Sequence, residues 1–493
     1  MIQLNGIYVV NPAYKLKNDI NKILFYLCPL ESSLDTEDFF SYIHPLNAQL
    51  LSFFNGKDDL QVILDKASGY FGLSKTELLG IISGFIENTE HRAIKYYTYT
   101  MYFPKFTLVK ASMVSKFRVY DIDSFKLCED IDFSSVRLMR PLSFLLLLTM
   151  DCYTNCMYCY ANRKLGNGYM TLEQYKAIIR EAKELDIDNI SVNGGEVLLH
   201  PYCFEILTEL LTSGYTPMIS TKMPLSRSII LKLKKIGIRS IQLSLDSVNI
   251  ETLDTLLSID SSYFLDMDRT INDLDREGFD ITIHAVLCAQ NTSIEKLSEL
   301  IEYITKYANV KNITFSPAGF SLYRGNYEKY CPRLDVIEKV RSFVESYNGN
   351  LLEGKPKIKM DSFFTEDYFK NNESFNKRAV CPANLRDFVV LPDGRVTICE
   401  QLYDHPRFII GDLTKQSIVE AWNSKEANAL YDLQQEQISK ESRCSDCTDF
   451  ITCRKKRGIC WKHVLMAYGR DNWDYPDPKC PKAPQFKRRF YIK

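Results

Sequence analysis

The sequence predicts an α/β protein: a partial (β/α)6 barrel of TIM type, preceded by a winged-helix-like α+β module and followed by a cysteine-rich C-terminal domain. Three observations predict it. Over residues 142–320, strand-like and helix-like segments alternate in units of roughly 30 residues, as parallel βα repeats require. The first 140 residues carry two short β-prone stretches and three helical segments of their own. The 15 cysteines are unevenly spread: three fall between Cys152 and Cys159, and seven between Cys381 and Cys480. A chain of 493 residues is also long enough for about three domains.

In chain order, residues 2–10 and 22–27 read as short strands. A helix starts at Pro45, a residue suited to the first turn, and stops before Gly56. A second helix spans about 58–71. A third spans 74–88, opened by a capping box from Ser74 to Glu77. The barrel begins with an apolar strand at 143–149. Helix 171–185 follows, with Thr171 and Gln174 placed as a second capping box. Strands are expected at about 189–193, 216–220, 239–245, 280–288 and 311–316, with amphipathic helices at 202–213, 227–236, 262–277 and 293–307. In such folds chemistry sits at the C-terminal ends of the strands. Residues 321–374 read as a polar bridging region with one helix. From 375 to 493 periodicity weakens while cysteine density rises, the pattern of a segment that relies on metal for its fold.

Composition excludes several classes. Lys plus Arg number 61 and Asp plus Glu 62, so a net charge of -1 leaves no footprint for nucleic acid or an anionic membrane. The longest apolar run, 142–150, is far short of the about 20 residues a membrane span needs. The first residues lack the basic patch and apolar stretch of a signal peptide. The expectation is a cytoplasmic chain whose thiols stay reduced, so clustered cysteines point to metal or redox chemistry.

Cys152-x3-Cys156-x2-Cys159 lies directly after the first barrel strand. Three thiolates can hold three irons of a 4Fe–4S cluster and leave the fourth open. Structural zinc is the competing reading, and it wants four ligands. The triplet, with aromatic Tyr158 before its third cysteine, resembles the signature of the radical S-adenosylmethionine superfamily. So does Asn193-Gly194-Gly195-Glu196 after the second strand. The resemblance implies that Gly194 and Gly195 let backbone approach the methionine end of S-adenosyl-L-methionine, with the Glu196 carboxylate available to its ammonium. It also implies cofactor contacts for Ser220, in Ile219-Ser220-Thr221-Lys222, and Ser244, in Ser244-Leu245-Asp246. Two departures stand out. Val197 replaces the usual proline, and Leu256 and Leu257 stand near where relatives place an arginine.

The C-terminal cysteines resemble the SPASM extension of peptide- and protein-maturing members, which holds two auxiliary 4Fe–4S clusters. The resemblance assigns Cys444, Cys447, Cys453 and Cys480 to one cluster. It assigns Cys381, Cys399 and Cys460 to the other, leaving an open iron or a fourth thiol such as Cys331. Six residues separate Cys453 from Cys460, where three are usual. A zinc ribbon competes for 444–480. Glu400 matches a position where sulfatase-maturating relatives have a catalytic aspartate, and it is the candidate base. The stretch from His44 to Gly56, with Leu60–Leu64 and Tyr70–Ser74, resembles a PqqD-type element that captures a leader peptide as an added strand.

Taken together the resemblances imply a radical S-adenosylmethionine maturase of a ribosomally made precursor peptide. Its product would be a thioether or carbon–carbon cross-link, formed through a 5′-deoxyadenosyl radical. An electron donor such as flavodoxin or ferredoxin would serve it. The competing activities are a formylglycine-generating sulfatase-type maturase and a peptide epimerase with Cys288 as hydrogen donor. A metal-binding scaffold without activity is the non-enzymatic reading.

Overall fold

A computed structural model describes residues 2–29, 38–86, 88–126, 130–161, 168–370, 372–378 and 380–493. The chain divides into two compact units, residues 1–139 and 140–493.

The first unit runs β1 (Tyr8–Val10), β2 (Tyr14–Asn18), β3 (Ile23–Leu27), β4 (Phe40–Ile43), α1 (Pro45–Ser52), α2 (Leu60–Phe71), α3 (Lys75–Ser83), β5 (Arg92–Tyr96), β6 (Tyr99–Phe103) and β7 (Leu108–Lys110). The helices begin where the sequence signals them. Pro45 opens α1, the Asp59 carboxylate accepts from the Val62 N–H at the head of α2, and Ser74 and Glu77 form the capping box of α3. Strands β2, β3 and β4 form an antiparallel meander, β5 and β6 a hairpin, and β1 pairs with β7. Phe25, Ile43, Ala48, Ile63 and Phe103 are fully buried at the centre of its core. The structure adds β2, β4 and the strands after α3 to the sequence expectation, and it ends α3 at Ser83 rather than 88. The β5–β6 hairpin carries mostly half-exposed or exposed side chains, so no clean apolar alternation marks it.

The second unit opens with the six expected barrel strands. They are β8 (Ser143–Leu147), β9 (Asn189–Asn193), β10 (Ile219–Thr221), β11 (Ser240–Ser244), β12 (Asp280–Leu287) and β13 (Val310–Pro317). Between them lie α4 (Leu172–Glu184), α5 (Cys203–Thr212), α6 (Arg227–Ile236), α7 (Ile250–Leu257), α8 (Tyr263–Arg276) and α9 (Ile294–Ile304). Strand β8 pairs parallel with β9, and β10 through β13 pair parallel in order. Buried apolar residues alternate with less buried ones along β9, β11 and β12, as Ile281, Ile283, Ala285 and Leu287 do in β12.

Both edges of the barrel are extended. After α10 (Tyr327–Tyr330) and α11 (Leu334–Gly349), β14 (Lys357–Met360) adds parallel to β13, with Ile313 opposite Ile358. The stretch expected as a polar bridge thus completes a further parallel crossover. Only Ile358 of β14 is deeply buried, which is why four residues flanked by lysines read as linker. Past α12 (Glu366–Lys370) and α13 (Asn372–Asn376), β15 (Asp387–Val390) adds parallel to β8. Strands β16 (Arg395–Thr397) and β17 (Ile409–Asp412) continue that sheet antiparallel. The C-terminal domain is therefore joined to the barrel by main-chain pairing. It ends in α14 (Ile418–Trp422), α15 (Lys425–Tyr431) and α16 (Trp461–Tyr468).

Candidate active site

The loop leaving β8 carries Cys152, Cys156 and Cys159. Thr154, itself buried, places its Oγ1 3.1 Å from the Cys156 Sγ and 3.9 Å from the Cys152 Sγ. The loop is anchored at the end of α7: the Asn155 and Met157 N–H groups donate to the Leu257 and Leu256 carbonyls, each at 2.8 Å. Those carbonyls belong to the last turn of a helix and need partners from outside it. Leu256 and Leu257 thus hold the cysteine loop through their backbone, while their side chains are fully buried.

Gly194 and Gly195 continue β9 alongside the same loop. The Gly195 N–H donates to the Thr149 carbonyl at 2.7 Å and the Glu196 N–H to the Asp151 carbonyl at 2.6 Å. A Cβ on Gly195 would lie 2.0 Å from the Asp151 oxygen, and one on Gly194 2.5 Å from the Thr149 oxygen. The close approach that requires glycine is therefore to the cysteine loop itself. The Glu196 carboxylate, the candidate partner of a ligand ammonium, is buried against the end of β10. It accepts from the Thr221 hydroxyl at 2.8 Å and the Lys222 N–H at 3.2 Å, and burial raises its pKa. It ties two strand ends together.

Inside the barrel mouth, the Lys222 ammonium lies 2.7 Å from both the Tyr158 hydroxyl and the Asp246 carboxylate, and Tyr158 donates to the same carboxylate. Asp246 is fully buried and also accepts from the Val286 N–H at 2.9 Å. His284 pairs with Ser316 at 2.8 Å, and Ser316 donates to Asp361 at 2.5 Å. Burial lowers the His284 pKa, favouring the neutral ring. Ser220 accepts from the Gln242 amide at 2.8 Å, and Ser244 is nearly buried at the end of β11.

A cavity of about 390 Å³ opens from this mouth. Cys156, Tyr158 and Cys159 line it, whereas Cys152, Gly194, Gly195, Glu196, Ser220 and Ser244 do not. Phe320, Phe363, Phe364 and Tyr491 give it an aromatic wall, and Gln401, Lys462 and His463 bring the C-terminal domain to it. Sequence reasoning missed Lys222 and Lys462. The first stood in a quoted motif but was read only for its serine, and the second lies two residues past Cys460 with no pattern around it.

The C-terminal cysteines form two groups. Cys444, Cys447, Cys453 and Cys480 all line one cavity of about 400 Å³. That space suits a multi-iron cluster, whereas a zinc ion draws its four sulfurs to about 2.3 Å from one centre. Among the described residues, no three His, Cys, Asp or Glu side chains close around a single-ion site. In the second group, burial pushes Cys399 up to about 11 and Cys460 up to about 12, and raises Cys381. The Lys462 ammonium opposes the shift at all three. Cys381 is an electrostatic neighbour of both others. Loading either group must displace thiol protons. Cys331 has Tyr327 and Cys288 as neighbours, and its Sγ lies 3.4 Å from the Pro332 carbonyl.

Glu400 accepts from the Tyr160 hydroxyl at 3.3 Å, and burial raises its carboxyl pKa. Its flanking residue Gln401 and its partner Tyr160 line the cavity, and Glu400 stands behind them. Cys288 is fully buried and absent from the cavity wall.

Comparison with known proteins agrees with this arrangement. Residues 146–304 match the family model described as the Radical SAM superfamily, and residues 381–448 match SPASM, an iron–sulfur cluster-binding domain. The chain is 24% identical to the PqqA peptide cyclase of Rhodopseudomonas palustris, over 71% of this chain and 89% of that protein. It is 23% identical to the mycofactocin maturase MftC of Mycobacterium tuberculosis, over 68% and 81%. Among solved structures, Streptococcus suis SuiB bound to S-adenosylmethionine superposes with a TM-score of 0.63 at 13% identity, covering 96% of this chain and 99% of that one. SuiB bound to its precursor peptide SuiA gives 0.61 at 13% identity, covering 95% and 98%. The likeness to SuiB is one of fold.

Proposed function

We propose that this chain, which carries a radical SAM domain and a SPASM iron–sulfur cluster-binding domain, oxidatively matures a ribosomally synthesised precursor peptide, forming a thioether or carbon–carbon cross-link. The observation that carries the reading is the 390 Å³ cavity, walled at once by Cys156 and Cys159 and by residues of the cysteine-rich domain. Relatives named as a PqqA peptide cyclase and a mycofactocin maturase, and a fold shared with a protein solved with its precursor peptide, support it.

Cys152, Cys156 and Cys159 would hold the catalytic cluster. Cys444, Cys447, Cys453 and Cys480 would hold one auxiliary cluster, and Cys381, Cys399 and Cys460 the other, with one position left open. When bound, the catalytic cluster and S-adenosyl-L-methionine supply a 5′-deoxyadenosyl radical that takes a hydrogen atom from the substrate. The chain's own residues position and exclude water. Thr154 and the α7 carbonyls fix the cysteine loop, Tyr158 is locked by Asp246 and Lys222, and Ser220 and Ser244, at the ends of β10 and β11, would contact the cofactor. Glu400 would take the proton that the substrate radical loses on oxidation, with Tyr160 between it and the cavity, and an auxiliary cluster would accept the accompanying electron. The N-terminal module holds the leader by strand addition. A one-electron carrier of flavodoxin or ferredoxin type supplies the reducing electron.

The test is mass spectrometry of the precursor peptide after anaerobic incubation with reconstituted enzyme, reductant and cofactor. Loss of two hydrogens per site is expected. An unchanged mass with deuterium gain would instead identify an epimerase, a reading disfavoured by the burial of Cys288 away from the cavity. A formylglycine product would identify the sulfatase-type maturase.

A further inference from the structure

Three cations converge on the four-cysteine cavity. The Arg378 guanidinium donates to the Cys453 Sγ at 3.1 Å, Arg454 to the Cys444 Sγ at 3.4 Å, and the Lys482 ammonium to the Cys447 Sγ at 3.5 Å. Arg378 is itself fixed, by the Gly458 and Phe375 carbonyls and by stacking over the Phe375 ring at 4.0 Å. Arg454 is more telling. It is only 7% exposed, and one nitrogen is held by Cys444 together with the Asp474 and Tyr475 carbonyls at 3.3 Å. Its other terminal nitrogen, Nη1, is buried with no partner among the described residues. A buried guanidinium N–H left unpaired is costly, and such groups ordinarily have a partner. Arg454 lines the four-cysteine cavity and also the small space beside Cys381, so it stands between the two cysteine groups.

We infer that Arg454, Arg378 and Lys482 form a cationic cradle that sets the reduction potential of the cluster held by Cys444, Cys447, Cys453 and Cys480. The unpaired Arg454 nitrogen is reserved for that cluster. The inference rests on the reading of this cavity as an iron–sulfur site. Its physical basis is general. Reduction adds one negative charge to a site already rich in thiolate. Positive charge and N–H donors at the sulfurs therefore favour the reduced state and raise the potential. Arginine cannot shed its charge to escape burial, which makes Arg454 a permanent contribution. The three side chains are positioning and tuning residues, and none lines the cavity at the barrel mouth.

The experiment is an EPR-monitored redox titration of the reconstituted full-length enzyme. The signal of this site is the one lost in Cys444→Ala. Arg378→Met and Lys482→Met are each expected to move its midpoint to lower potential, and Arg454→Leu further. The combined loss should change the reduction equilibrium at least tenfold, about 59 mV for one electron. The signal lost in Cys152→Ala should stay in place. Midpoints unchanged in variants with full iron content, or shifted upward, would overturn the inference. Should Arg454→Leu fail to take up iron, the two milder variants decide the matter alone. If Cys444→Ala removes no signal, the iron–sulfur reading of the cavity fails rather than the tuning.

Discussion

At the scale of single residues, Gly195 is the most constrained position in the site. A Cβ there would meet the Asp151 carbonyl at 2.0 Å, and that contact is backbone on both sides, so no side chain can swing away. Gly195→Ala is expected to push the cysteine loop off β9, at a cost on the order of 1–3 kcal/mol for overpacking. Lower thermal stability and reduced iron uptake at the triplet should appear together, and retention of both would show that the loop gives way freely. His200 makes a second prediction, for pH. Its ring is buried among Tyr169, Tyr175 and Tyr202, its Nε2 has no partner among the described residues, and burial lowers its pKa to about 4. The unfolded chain binds a proton at His200 near pH 6.5 and the folded chain does not, so its contribution to stability is intact above about 6.5 and falls as pH drops toward 4. Compared with His200→Phe, the wild-type melting temperature should decline more between pH 7 and pH 5. Parallel curves would remove His200 from the acid sensitivity.

At the scale of elements, the last turn of α7, where Leu256 and Leu257 stand, serves the cysteine loop. It offers main-chain carbonyls to the cysteine loop instead of a cation to the cofactor. Leu256 packs that turn into the barrel core with no exposed surface, so Leu256→Ala should cost about 2–5 kcal/mol in denaturant unfolding. A loss well under 1 kcal/mol would mean the turn is not held by this side chain. The same helix shows the limits of the sequence. The six barrel strands were legible because short segments with buried apolar residues recur between amphipathic helices, and the cysteine triplet because its spacing is dense. Helix α7 was not, since Ile250–Leu257 is eight residues long and abuts α8 across a short gap. Strand β14 was hidden by its lysines. The orientation of Glu196 was illegible for a different reason: only tertiary pairing with Thr221 decides which way a carboxylate at a strand end turns. Arg378, Arg454 and Lys482 were invisible because isolated cations beside cysteines carry no period or spacing.

At the scale of the whole molecule, the described residues of each unit build a main apolar core of their own. One is built from residues between Tyr8 and Phe125, the other from Phe144 onward. The cavity and all the cysteines assigned to clusters lie in residues 140–493, so cleavage of S-adenosyl-L-methionine is expected not to need residues 1–139. If the N-terminal module serves only to capture a leader, its effect is one of effective concentration. A tethered partner raises local substrate availability by about 10²–10⁴-fold without changing the chemistry. Removing residues 1–139 should then leave reductive cofactor cleavage intact and slow processing of a leader-bearing precursor by about 10²-fold at low peptide concentration. The deficit should shrink as the peptide approaches millimolar levels, because mass action replaces the tether. Processing that is unchanged at low concentration would assign the module some task other than leader capture. Processing that stays absent at high concentration, with cofactor cleavage intact, would mean the module takes part in presenting the reacting residue itself.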